Sequence, residues 1–279
     1  MLHFGTAGIP ASTKGTGDTV AGLRRVEELG LSGMEIEFVR KIYLKENTAP
    51  SVAYVGKKLD LKLSCHAPYY LNLNAADELK LHKSNGILHH AAHMAAFAGA
   101  GSIVFHAGYY LKGEPETVYG NIKYQIEMVL EKLHEEDVHI TLRPEIAGKN
   151  SQFGTLTELL RLSKELPGVA PAIDFAHLYA VTGGRYNSYV EFSEVLSRIG
   201  EALGVEAIQD LHLHVSGIEF GKSGERRHLN LADTDYRYDE LLQALADFKA
   251  GGLLICESPN IEEDAMLLQK TWQELMPGI

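Results

Sequence analysis

Six short apolar runs in this chain end on residues that bind metal ions. They are LKLSCHAP (61–68), SIVFHAG (102–108), HITLRPE (139–145), APAIDFAH (170–177), LHLHVSG (211–217) and LLICESP (253–259). The polar residues at or near their ends are His66, His106, Glu145, Asp174 with His177, His212 with His214, and Glu257. Imidazole nitrogen together with carboxylate oxygen suits Zn2+, and also Mn2+ or Fe2+. A single strand-end histidine is more often a hydrogen-bonded structural residue, and a single acid is more often a helix cap or an ion-pair partner. The same residue types at six successive ends are hard to explain by independent structural needs. Thiolates do not join the set. Cys65 and Cys256 each precede a candidate ligand, and side chains alternate along a strand, so both cysteines face away as small apolar groups.

The elements that must position these residues follow from periodicity. Two earlier runs, LHFGTAG (2–8) and GMEIEF (33–38), bring the total to eight. Stretches with helical patterning lie between the runs, at 19–29, 78–98, 117–135, 155–166, 189–203 and 236–248. Eight strand-then-helix repeats without a linker predict a single (β/α)8 TIM barrel spanning 1–279; a doubly wound open sheet is the alternative. In such a barrel the C-terminal strand ends converge on one mouth, where the candidate ligands would meet. Asp18, Ser51, Asp77 and Thr155 stand where N-caps are expected. His3 and His139 begin runs and belong at the opposite face, while His82, His89, His90, His93 and His134 fall within helical patterns.

A chain of 279 residues with 45% hydrophobic content can bury a barrel-sized core. It contains no apolar stretch of membrane-spanning length, and MLHFGTAGIP lacks the features of a signal peptide, so the expected setting is cytoplasmic, with no membrane partner. The formal net charge of -11 lowers the expectation of a nucleic-acid partner. Bound divalent cations and a local basic rim would counter that sum.

The motifs resemble those of the endonuclease IV family, also called AP endonuclease family 2, within the xylose-isomerase-like barrels. CHAPYYLNL (65–73) looks like its histidine followed by tyrosine and an Asn-Leu segment. VFHAG (104–108) is similar to its Phe-His-Pro-Gly stretch, with Ala107 where proline is common. PEIAGKNSQFGT (144–155) resembles the segment of the bridging glutamate, AIDFAH (172–177) looks like Ile-Asp-x-x-His, and CESP (256–259) resembles the closing Glu-Thr/Ser-Pro. Two segments depart from the pattern. Where the family has His-x-Asn-Asp this chain has LHLHVSG; His212 fits the ligand position and His214 the asparagine, with the opposite register open. Where the family has Asp-x-His this chain has GERRHLNL (224–231); His228 matches the histidine, Arg226 stands at the aspartate, and Glu225 would substitute only after a one-residue shift.

The resemblance implies a monomeric, metal-dependent endonuclease that cuts damaged double-stranded DNA on the 5′ side of abasic sites with two or three Zn2+ ions. Glu145 would be the catalytic, bridging carboxylate. His66 and His106 would bind one ion, Asp174, His212 and Glu257 a second, and His177 with His228 a third. Tyr69, Arg40 and Lys41 would contact DNA. Two other readings compete: a single-metal sugar isomerase or epimerase using Glu145, Asp174, His212 and Glu257, and a metal-free binding protein. The latter would bury uncompensated charge at a cost of several kcal/mol.

Overall fold

The computed structural model describes residues 1–15 and 17–276. Eight parallel strands form one sheet: β1 (Leu2–Ala7), β2 (Gly33–Glu37), β3 (Lys62–His66), β4 (Ser102–Phe105), β5 (Thr141–Pro144), β6 (Ala172–Asp174), β7 (Leu211–Val215) and β10 (Gly252–Cys256). Their order is β5-β4-β3-β2-β1-β10-β7-β6. Parallel bridges Leu142–Val169 and Glu145–Ala172 join its two outer members, so the sheet closes on itself. This is a TIM barrel, and every barrel strand points its C-terminal end at the same mouth. Each strand is shorter than the apolar run that announced it. The residues after the last ladder bond turn into loops, as in 170–177, where only Ala172–Asp174 are extended and a helix begins at Phe175.

The barrel is wrapped by α1 (Thr19–Glu28), α2 (Ala49–Lys58), α3 (Glu78–Phe97), α4 (Pro115–Glu135), α5 (Leu156–Glu165), α6 (Phe175–Val181), α7 (Tyr189–Leu203), α8 (Val205–Gln209), α9 (Tyr238–Asp247) and α10 (Glu262–Leu275). The Asp18 carboxylate accepts from Ala21 N (2.8 Å), Asp77 does so from Lys80 N (2.9 Å), and Thr155 forms a reciprocal capping box with Glu158. Ser51 is not a cap. Helix α2 starts two residues earlier, at Ala49, because Pro50 is well suited to a first turn that needs no N–H.

An antiparallel hairpin, β8 (Gly217–Gly221) and β9 (Gly224–Leu229), follows β7 and was not foreseen from the sequence. It is clasped to the loop after β5: Glu225 N donates to Gly148 O at 2.8 Å and Asn150 N to Ser223 O at 3.4 Å. Gly224, at φ +99, makes this approach possible, since a Cβ there would collide with Gly148 O.

Outward-facing Cys65, Ile103, Phe105, Leu142, Ile173, Leu213 and Leu254 are fully buried. The barrel interior is unusually polar for a fold whose centre is normally filled by branched aliphatic side chains. Glu35 crosses it from β2 to reach His212 and His214 of β7, and accepts from Ser64 Oγ at 2.7 Å. Below them buried Arg143 pairs with Asp210 at 2.7 Å. Small residues make room for these groups. A Cβ on Gly5 would sit 2.5 Å from Gly33 O and 2.9 Å from Ile255 Cδ1. Gly5→Ala is therefore expected to cost about 1–3 kcal/mol through overpacking. Urea unfolding should show a lower midpoint with an unchanged slope; an unaltered midpoint would contradict the packing described.

Candidate metal centre

Glu145 is the residue on which the mouth converges. It lies just past the end of β5, 1% exposed, and its two oxygens meet imidazoles from four other segments. His66 Nε2 and His106 Nδ1 each lie 3.2 Å from Oε2, while His214 Nδ1 is 2.9 Å and His177 Nδ1 3.5 Å from Oε1. His66 is held by its other nitrogen, whose N–H donates to Ala67 O at 2.8 Å. Asp174 caps α6 by accepting from His177 N at 2.7 Å, and its second oxygen lies 3.0 Å from His177 Nδ1. The Asp-x-x-His spacing therefore works as expected: the acid ends the strand and the histidine returns to the site one turn later.

Among the described residues five groups of potential ligand atoms lie within 4.8 Å of one another; two contain Glu35, namely Glu35, His212 and His214, and Glu35, Glu37 and Glu257, and three are gathered around Glu145 and Asp174: His66, His106 and Glu145; Glu145, Asp174, His214 and Glu257; and Asp174, His177 and His228. Adjacent groups share Glu145 or Asp174. His228 is brought to the third group by β9, where the pairing slips between Glu219–Arg227 and Phe220–Glu225, leaving Arg226 as a bulged residue. A bulge turns two successive side chains to the same side. Arg226 and Arg227 both point outward and pair with Glu219, at 3.2 and 2.8 Å. Glu225 and His228 both point inward, with Glu225 carboxylate oxygens 3.7 Å from Nε2 of His177 and 3.7 Å from Nε2 of His228. The bulge supplies the one-residue shift that a substitution by Glu225 required, and Arg226 is excluded from the centre.

The sequence left the register of the two β7 histidines open, and the structure places them at different depths in the barrel. His214 is the one beside Glu145, Asp174 and Glu257; His212 lies one inward step deeper and does not reach them. His212 Nε2 instead faces Glu35 Oε2 at 3.0 Å and His214 Nε2 at 3.2 Å. Glu35 thus holds the far side of His214, with Oε1 3.0 Å from Nε2, leaving Nδ1 to face the centre. A carboxylate behind a ligating imidazole is a common way to fix its tautomer and orientation. Burial by itself would raise the Glu35 carboxyl, but His214 and His212 outweigh it and hold it well below the carboxylate range.

The electrostatics fit cations. Burial opposes ionisation of His66, yet the hydrogen bond to Glu145 and the charges of Glu37 and Glu145 raise it to about 10. His177 is likewise lifted to about 10 against its burial, first by Asp174, and His214 is raised well above the usual value by Glu257, Glu35 and Glu145. Burial dominates at His106, which falls to about 4. Glu145, despite burial, is held well below the usual range by His106 and His214. Without a cation, then, protons on three imidazoles offset the carboxylates. Several buried polar atoms nonetheless make no hydrogen bond, among them His106 Nδ1 and Asp174 Oδ2, although each has an oppositely disposed atom within 3.2 Å. Lone pairs left without a donor in this way are available to cations.

The centre opens into a cavity of about 300 Å³ whose wall includes Tyr69, Tyr109, Lys149 and Gln152. Tyr69 stands against His66 and His106, with ring centroids 5.0 and 5.8 Å away. Arg40 and Lys41 are exposed on the loop after β2 and do not line this cavity; Arg40 O accepts from Tyr70 O–H at 2.9 Å. A larger hollow of about 600 Å³, lined in part by His3, Arg143 and His212, lies at the opposite end of the barrel. None of the convergent carboxylates reaches it, so volume alone does not locate the chemistry. The helix histidines stay outside as expected, His89 and His93 sharing Glu136 at 3.1 and 3.0 Å.

The sequence profile of the xylose isomerase-like TIM barrel matches residues 23–275. The chain belongs to this family. It is 45% identical over 275 residues to an uncharacterized protein of Methanocaldococcus jannaschii, covering 99% of this chain and 98% of the relative. It is 28% identical over 233 residues to a probable endonuclease 4 of Mycobacterium leprae, covering 81% and 86%. Among solved structures, endonuclease IV from Thermus thermophilus superposes with a TM-score of 0.71 at 20% identity, covering 98% of this chain and all of that one. A D-tagatose 3-epimerase-like protein superposes with 0.72 at 17% identity, covering 97% of each. These two likenesses concern the barrel itself.

Sequence reasoning passed over Glu35 and Glu37, which alternate with apolar residues in GMEIEF and so share a face. That period-two pattern was the available signal; what hid it was that the run ends on Phe38 rather than on an acid. The protonated imidazoles carry a consequence for this member of the family. A divalent cation bound there would have to displace these protons, so its apparent affinity should fall as pH falls, by up to roughly tenfold per pH unit for each proton released. Calorimetric titrations in buffers of different ionisation enthalpy should register this release, and binding without proton release would contradict the assigned charge state.

Proposed function

We propose that this protein is a metal-dependent phosphodiesterase that incises double-stranded DNA 5′ to abasic sites, with Zn2+ ions held by the three linked groups. The observation that carries the reading is the linkage itself: Glu145 belongs to the first two groups and Asp174 to the last two. When bound, cations there supply Lewis-acid polarisation of phosphoryl oxygens and an acidified water. The residues of the chain set the geometry. His66 and His106 serve with Glu145 at the first position, Asp174, His214 and Glu257 at the second, and His177 and His228, flanked by Glu225, at the third. Glu145 spans the first two positions and keeps its carboxylate ionised.

The cavity of about 300 Å³ accommodates one sugar-phosphate unit, not a duplex. The reactive nucleotide must therefore leave the stack, and an abasic residue does so at least cost. Tyr69 forms the wall against which the extruded sugar would rest. Lys149 lines this cavity, and Arg40 and Lys41 are exposed on the loop after β2. A lysine in the cavity wall supports an anionic substrate despite the overall charge of -11. Among the described residues no helix is long and apolar enough to cross a membrane.

A second reading has one specific observation behind it. Glu145, Asp174, His214 and Glu257 form a four-residue group by themselves, enough for a single ion in a sugar isomerase or epimerase. Metal content separates the two, with two or three ions per chain expected for the nuclease and one for the isomerase. A duplex with a single abasic site should be nicked by the zinc-loaded protein, and chelation should abolish the nicking; an intact duplex after prolonged incubation would exclude the nuclease. Glu145→Gln should lower turnover by on the order of a hundredfold or more while the far-ultraviolet circular dichroism stays the same. A wild-type rate in that variant would remove the bridging role.

A further inference from the structure

Glu37 is the last residue of β2 and sits beside the centre without belonging to any of its three linked groups. Both of its carboxylate oxygens are shielded from solvent, and neither has a hydrogen-bond partner. Glu35, 0% exposed and two residues earlier on the same inward face, also has an oxygen, Oε1, without a hydrogen bond, although it lies 3.0 Å from His214 Nε2. Across the end of β1, Glu257 completes a trio whose ligand atoms all lie within 4.8 Å of one another. The end of β1 leaves the space: Ala7 and Gly8 stand between the two acidic strands, and a Cβ on Gly8 would already contact Glu37 Cγ at 3.5 Å. Three carboxylates this close repel one another unless a proton or a cation joins them. Without a cation, burial and the neighbouring Glu35 and Glu257 push Glu37 up to about 8.

We propose that Glu35, Glu37 and Glu257 form a separate site for a hard divalent cation, of the Mg2+ or Mn2+ class, alongside the nitrogen-bearing zinc positions. The donor set decides the class. Each zinc group contains imidazole, whereas this trio offers oxygen alone, which suits Mg2+, Ca2+ or Mn2+ and gives Zn2+ no nitrogen or sulfur. The ion would share Glu257 with the second zinc position and bring the charge of the floor closer to balance. It would also remove the repulsion that an ionised Glu37 would exert on an anionic substrate entering the cavity. The inference holds whichever reaction the centre performs.

The test uses the full chain saturated with Zn2+ and titrated with Mn2+, with free Mn2+ followed by electron paramagnetic resonance. Uptake of one Mn2+ per chain without loss of zinc is expected. In Glu37→Gln that uptake should weaken at least tenfold while zinc content and thermal melting stay as in the wild type. No uptake by the wild type, displacement of zinc in step with uptake, or equal uptake by the variant would overturn the site. Should the variant lose zinc or fold poorly, anomalous scattering at the manganese edge from zinc-loaded wild-type crystals decides. A peak between the three carboxylates supports the proposal, and its absence or a peak elsewhere defeats it. Zinc content and DNA nicking are read separately, so failure of this site leaves the proposed activity standing, and the converse also holds.

Discussion

The structure depends on keeping the Glu145 carboxylate ionised although it is 1% exposed. A lone buried carboxylate would carry a desolvation cost of several kcal/mol and would take up a proton. Here four imidazoles from β3, β7 and the ends of β4 and β6 approach its two oxygens at 2.9–3.5 Å. Those contacts tie five segments of the barrel wall to one atom pair, so the charge that makes the centre useful also joins its parts.

Support for that centre extends downward. Glu35 stands behind His214, Ser64 behind Glu35, and His212 beside both, so a column of polar side chains replaces the aliphatic layers that usually fill such a barrel. Each member of the column is buried, and each has at least one close polar neighbour. Stability in this region therefore draws on the apolar outer faces, where Phe105, Leu142, Ile173 and Leu213 are fully buried. Ligand geometry and fold stability are coupled through the same strands.

The hairpin shows how a local irregularity changes chemistry. Without the bulge at Arg226, alternation along β9 would have placed Arg226 beside His228 on the inner face and turned Glu225 outward. A guanidinium would then have faced His177. The extra residue reverses this, and the Gly224 clasp to Gly148 fixes the hairpin over the mouth so that Glu225 comes between two imidazoles.

The barrel, its eight strands, and the gathering of His66, His106, Glu145, Asp174, His177, His228 and Glu257 were legible in the amino-acid order. The reason is that period-two apolar runs and helical spacing are local properties, and a parallel barrel then forces the strand ends together. What the order of residues left open was decided by contacts between distant segments. His212 and His214 have the same type and the same inward parity, so only depth along the barrel axis decides which of them reaches Glu145. Arg226 and Glu225 differ by one position in a strand whose register is set by its partner. Glu35 and Glu37 gained their surroundings from β7 and β10, more than 170 residues away in the chain. Residue type and period belong to the chain, whereas depth, register and charge balance arise only when the barrel closes.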